Sequence, residues 1–262
     1  MTGREADRIA ASFEADPALL PHLPYLFQDL PSLGCSPAHI VALARRAGAR
    51  AGNRVADLCC GKGDSAIALA RELRCGVVGV DLSAGLIALA RQQAGRSGLE
   101  DLCRFEVGDV RLLPPHLTGF DGVVFAAASP ALGTLRETVA RLRDIVRPGG
   151  WMIIEDGVAA ARPKRATGRR DRDASSHTNI IREITTCGDS VEAEILVPSA
   201  QRRRRHAANT AAIRRRALEL ARRFPEVADL LLSYPERQAQ RNHAPDRRIS
   251  ALWLLRRSQV AS

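Results

Sequence analysis

The sequence predicts an α/β fold: a doubly wound, mostly parallel sheet of seven strands with a helical insertion before the last one. Three observations carry this. From about residue 36 to 156, short apolar runs alternate with amphipathic helical segments; a glycine-bearing turn follows the first run; and two late strand-like runs enclose an arginine-rich helical stretch. With 262 residues, 45% of them hydrophobic, the chain is long enough to bury such a core.

The elements follow in order. Ser36, with Pro37 in the first turn, starts a helix that Gly48 stops. Arg54 to Cys60 (RVADLCC) reads as the first strand. A helix from about Asp64 to Leu73 places Ile67, Leu69, Ala70 and Leu73 on an apolar stripe, and Val77 to Asp81 (VVGVD) is the second strand. A helix from about Ser83 to Ala94, a strand at Phe105 to Val107, another at Asp121 to Ala127, a helix from Leu132 to Val146 and a fifth strand at Trp151 to Ile154 complete the alternation. Later, Ser190 to Val197 reads as a strand, Arg202 to Arg241 as mostly helical with a break at Phe224-Pro225, and Ile249 to Leu255 as the last strand. If the late strands pair, the insertion lies at the sheet's edge, where it covers a site. The chain thus divides into a leading segment 1–35, a core 36–198, an insertion 199–248 and a final strand 249–262.

The chemistry-bearing segment is Val55 to Ala66 (VADLCCGKGDSA). A strand ends, glycines let the backbone turn and approach a ligand, and a helix N-terminus presents free N–H groups and a positive dipole end. Gly61-x-Gly63-x-x-Ala66 on its own also fits a relaxed dinucleotide fingerprint, which leaves an NAD(P)-dependent oxidoreductase open. Asp57, just before the loop, discriminates. A carboxylate there is poorly placed beside a pyrophosphate and well placed beside a ligand carrying an ammonium and a sulfonium.

This stretch resembles motif I of the class I S-adenosylmethionine-dependent methyltransferases, of the small-molecule, type 11/25-like kind. Asp81 at the end of the second strand, Gly108-Asp109-Val110 after the third and Arg147-Pro-Gly-Gly150 before the fifth agree in order and spacing over about residues 50 to 156. The resemblance implies a Rossmann-like core that binds S-adenosylmethionine. In it, Gly61 and Gly63 cradle the methionine part, Asp57 serves the amino group, Asp81 the ribose hydroxyls, Asp109 the adenine amine, and Val110 walls the adenine. Leu82 and Ala126 complete the expected lining, and Cys59 stands where the family's pattern has glycine. The leading segment resembles the family's N-terminal cap, with Tyr25 as an aromatic over the sulfonium or as part of an amphipathic packing segment.

Methyl transfer from a sulfonium needs chiefly alignment and dryness; an acid or base is needed only where the acceptor arrives protonated. Asp156, at the end of the fifth strand, and then His177 are the candidate catalytic groups, against the plainer roles of helix cap and solvated polar residue. The stretch after strand four, Phe125 to Pro130, lacks the Asn-Pro-Pro-aromatic motif used on base amines, and no metal-dependent or cysteine-centred signature is present. The six cysteines form no C-x-x-C pair, so no metal or disulfide framework is expected.

Charge is unevenly placed. The formal +10 divides into +1 up to Gly150 and +9 after it, and 37 of the 39 basic residues are arginine. Clusters at Arg202 to Arg205, Arg214 to Arg216 and Arg222-Arg223 put Arg205, Arg216 and Arg223 near one helical face, opposite Ile213, Leu218 and Leu220. Aromatics for base stacking are almost absent from this part. The expected partner is therefore a small-molecule acceptor for O-, N- or C-methylation, with an anionic acceptor or RNA as the alternatives the arginines admit. Homodimerisation stays open. No bilayer-spanning stretch or leader is evident, so a cytoplasmic protein without a membrane partner is expected.

Overall fold

Strands β1 (Arg54–Leu58), β2 (Gly76–Asp81), β3 (Cys103–Val107), β4 (Phe120–Phe125), β5 (Val146–Ala159), β6 (Ser190–Val197) and β7 (Arg248–Arg256) form one sheet in the order β3-β2-β1-β4-β5-β7-β6. The computed structural model describes residues 3–112, 116–126, 131–159, 176–242 and 248–259. The expected extension of β4 to Ala127 and the Ser129-Pro130 stretch lie outside these residues. Strands β1 to β5 pair in parallel, and β7 runs antiparallel between β5 and β6. The two late strands pair with each other. Strand order reverses between β1 and β4, the kind of crevice in which open α/β sheets hold ligands.

Helices α1 (Gly3–Ser12), α2 (Leu23–Phe27), α3 (Pro37–Arg46), α4 (Asp64–Leu73), α5 (Ala84–Arg96), α6 (Leu135–Ile145), α7 (His177–Ile184), α8 (Ser199–Arg223) and α9 (Ala228–Asn242) surround the sheet. One face buries Val55, Val77, Ile153 and Leu254 under Ile40, Leu43, Ile67 and Ile87 of α3, α4 and α5. The other buries Leu58, Val123, Phe125, Ile154 and Trp253 under Leu142 and Ile145 of α6 and Ile180 and Ile184 of α7. Alternate residues of each strand feed alternate layers, so both faces are apolar and the strands read as continuous hydrophobic runs.

A third cluster makes the roof. Leu19, Leu23, Leu26, Phe27 and Leu30 pack against Ile213, Ala217 and Leu220 of α8 and Leu231 and Tyr234 of α9. The leading segment and the insertion thus stabilise each other over the sheet's end. Leu218 departs from the expected apolar face, since it is 49% exposed.

The other differences are local. Helix α6 starts at Leu135, because Gly133 has φ +98° and Thr134 forms a capping box with Glu137. Strand β5 begins earlier than Trp151, at Val146 opposite Phe120, with a register irregularity before Gly122 pairs Trp151. Gly122 has no room for a side chain: a Cβ there would sit 2.1 Å from the Trp151 ring. Helices α1 and α7 have no counterpart in the sequence reading.

Candidate cofactor-binding site

A cavity of about 770 Å³ lies beyond the carboxyl ends of β1 to β4, within the range of small-molecule sites. Its floor is Asp57, the Cys59 to Gly61 turn, Asp81 to Ser83, Gly108 to Arg111 and Ala126; its roof comes from α1, the 30–35 loop, α8 and α9. Expected site residues Asp57, Cys59, Gly61, Asp81, Leu82, Asp109, Val110 and Ala126 meet in this one cavity.

Asp57 is 3% exposed. Its carboxylate accepts from the Ala66 backbone N–H at the start of α4, while Oδ2 is buried with no hydrogen-bond partner. Burial, only partly offset by that bond and reinforced by Asp64 and Asp81, pushes its pKa up to about 7. A buried acceptor without a donor costs about 1 to 3 kcal/mol and fits a ligand that brings a cationic donor.

Asp81 is held from the backbone. Its Oδ2 accepts from Gly61 N at 2.8 Å and its Oδ1 from Ser83 N at 2.9 Å. Burial raises its pKa, against those two bonds. Asp109 accepts from Arg111 N and Nε at 3.0 and 2.9 Å and from the Arg8 guanidinium of α1 at 3.3 Å, so the strand-three aspartate ties the roof to the floor.

Two loop residues adopt left-handed backbone. Gly61 has φ +55°, and a Cβ on it would lie 2.8 Å from Leu33 of the 30–35 loop. Cys59 has φ +57°, which explains why glycine is usual at that position.

Four expectations meet a different geometry. Gly63 does not line the cavity; it caps α4 at φ +82° and lets the helix approach Phe105, whose ring a Cβ would meet at 2.8 Å. Tyr25 is also outside the lining. Its hydroxyl donates to Glu219 at 2.7 Å and its ring carries the Arg216 guanidinium at 5.2 Å, so its cation–π partner belongs to the roof. Asp156 alternates with Glu155 along β5 and so projects from the opposite side of the strand; its Oδ1 accepts from Gly157 N. His177 is exposed at the start of α7, where its Nε2 stands 2.8 Å from Glu194 on β6. Neither Asp156 nor His177 lines the cavity.

Sequence reasoning also passed over residues that do line it. Helix α8 presents His206, Asn209, Thr210 and Ile213 along one stripe, with Asn209 Nδ2 donating to Ser32 O at 3.2 Å. Their spacing of three, four and seven is legible inside the arginine-rich run. The arginines themselves hold the roof together: Arg215 and Arg216 pair with Asp29, and Arg214 with Glu236 of α9.

Residues 55–150 match the family described as "Methyltransferase domain". The match runs from β1 to the start of β5 and takes in the floor of the cavity. Curated relatives of this chain include a demethylmenaquinone methyltransferase of Symbiobacterium thermophilum, 29% identical over 40% of this chain and 42% of that protein. Another with the same name, from Deinococcus radiodurans, is 32% identical over 58% and 62%. The chain thus spans about two fifths of the length of the first of these relatives and under two thirds of the second. A SAM-dependent methyltransferase of Geobacter sulfurreducens, solved in complex with S-adenosyl-L-homocysteine, shares the fold with a TM-score of 0.71 at 20% identity, over 86% of this chain and 92% of that one. Among the described residues no helix is long and apolar enough to cross a membrane.

Proposed function

We propose that this chain transfers a methyl group from S-adenosylmethionine to a small-molecule acceptor enclosed between the sheet's carboxyl end and the roof. The observation that carries the reading is the buried, unpartnered Oδ2 of Asp57, a place for a ligand ammonium beside the Gly61 turn. When bound, S-adenosylmethionine supplies a methyl group already activated by a sulfonium.

The chain's own residues bind, orient and exclude water. Asp57 accepts from the ammonium. Asp81, fixed by Gly61 and Ser83, keeps lone pairs free for a ribose, and Val110, 6% exposed, walls the base with Leu82. The roof's apolar cluster keeps the cavity dry, which suits a displacement whose charge disperses. The small-molecule reading is supported by the names of the curated relatives and by a cavity covered by helices on the side away from the sheet.

Isothermal titration with S-adenosylhomocysteine tests this. Micromolar binding that Asp57→Ala weakens at least tenfold is expected; binding indifferent to Asp57, or none, sinks the reading.

A further inference from the structure

We propose that His206 of α8 is the general base of this site and that the acceptor is an un-ionised aromatic hydroxyl. This rests on the methyltransferase reading above. His206 lines the same cavity as Asp57 and Gly61, yet comes from the roof helix α8 and not from the β1–α4 turn that carries them. Its place is fixed by the next turn of α8, where Asn209 donates to Ser32 O at 3.2 Å and Leu33 lies against Gly61. Among the described residues no hydrogen bond holds the His206 ring, which is half-buried and so free to take a ligand proton.

The surroundings choose the acceptor. Phe13, Phe27, Leu30, Ile213 and Tyr234 line the roof side, suiting a flat apolar body. Arg202 and Arg205 flank His206 on its own helix, and their charge disfavours a cationic amine while favouring oxygen that becomes anionic. From other elements the cavity brings Arg8 and Glu14, Cys35, the floor's Asp57, Cys59, Cys60, Asp64, Asp81, Asp109 and Arg111, and the Tyr234 hydroxyl, which donates to Phe13 O. Burial first, then Arg205 and Arg202, hold the imidazole below its usual pKa and therefore neutral at pH 7.

In the step, the acceptor O–H gives its proton to the unprotonated imidazole nitrogen. The acceptor oxygen's electron pair forms the new O–C bond as the methyl carbon–sulfur bond breaks. That bonding pair stays on sulfur, leaving a neutral thioether. The imidazolium then releases its proton to water.

The test uses the full chain at pH 7.5 with S-adenosylmethionine and two phenols: 4-nitrophenol, largely ionised there, and 4-methoxyphenol, un-ionised. For His206→Gln, kcat/KM toward 4-methoxyphenol is expected to fall at least a hundredfold, as for loss of a general base, while 4-nitrophenol loses less than tenfold. The wild-type pH profile for 4-methoxyphenol is expected to show one ionisation on its acid limb that the variant lacks. The same ionisation is expected for the His206 ring by NMR titration of wild-type protein, a readout independent of turnover. Equal losses on both phenols, or a titration that does not coincide with the profile, overturn the assignment. Wild-type protein that binds S-adenosylhomocysteine yet methylates neither phenol overturns the acceptor class, whereas failure to bind it sinks the methyltransferase reading itself.

Discussion

The Asp81 carboxylate holds the Gly61 backbone N–H at 2.8 Å, joining the end of β2 to the turn that follows β1. One side chain thus fixes the glycine turn and faces the cavity. A carboxylate-to-backbone bond of this kind is worth about 1.5 to 3 kcal/mol, roughly a factor of 10 to 100 in affinity when the turn must be in place to bind. Asp81→Ala is expected to weaken S-adenosylhomocysteine binding by at least that range in calorimetry, with the fold retained by circular dichroism.

Asp57 makes stability and ligand binding respond to pH in opposite directions. Burial raises its pKa from 3.8 to about 7, so the folded, unliganded chain holds a proton that the unfolded chain releases. Stability of the free protein is then lost as pH rises from about 4 to about 7. A ligand ammonium needs the ionised carboxylate, so affinity gains over the upper part of the same interval. Thermal melts and titrations at several pH values are expected to show both trends, and Asp57→Asn to flatten both.

Cys59 holds a left-handed backbone that costs a side chain about 1 kcal/mol. Cys59→Gly removes that strain, partly offset by the freedom glycine gains in the unfolded state. Urea unfolding is expected to move by less than about 1 kcal/mol, in contrast to Gly61→Ala, whose Cβ meets Leu33 at 2.8 Å and whose binding of S-adenosylhomocysteine is expected to fail.

Arg216 is the clasp of the roof. Its guanidinium donates to both oxygens of Asp29, at 2.7 and 2.9 Å, and to Glu219 at 2.8 Å while lying over the Tyr25 ring. Those guanidinium bonds, with Arg215, hold the Asp29 carboxyl down at about 2, so the clasp persists through the physiological range. Arg216→Ala is expected to speed amide exchange in α2 and α8 several-fold and leave the β1–β4 strands unchanged, since surface pairs contribute little to global stability.

Gly122, near the start of β4, lets the Trp151 ring of β5 lie against the strand. Gly122→Ala drives a methyl into Trp151 and is expected to cost at least about 2 kcal/mol in urea melts, with the chain still recognisably folded.

The sheet was legible because its signals are local. Asp64 to Leu73 was readable from an apolar stripe opening after a glycine turn, and β6 from its apolar run. Asp57, Asp81 and Asp109 stand at or near strand ends, and the structure brings all three to one cavity. Tyr25 and His177 lie outside the cavity lining because their partners are far away in the chain: Glu219 for Tyr25 and Glu194 for His177 are set by tertiary packing that no window contains. Asp156, whose Oδ1 accepts from Gly157 N, lies outside the lining as well, as does its neighbour Glu155. His206 hid inside an arginine run whose charge drew attention from its spacing.

The roof is closed by its most remote parts: Tyr234 donates to Phe13 O at 2.9 Å across 221 positions of chain. Closing so long a loop is entropically late, so the sheet and its flanking helices are the part expected to assemble first, with the enclosure completed on top of a finished floor. The same ordering holds in reverse for the native state. The enclosure rests on side-chain packing and not on strand pairing, so it is expected to open at lower cost than the sheet, in which β7 stays paired between β5 and β6.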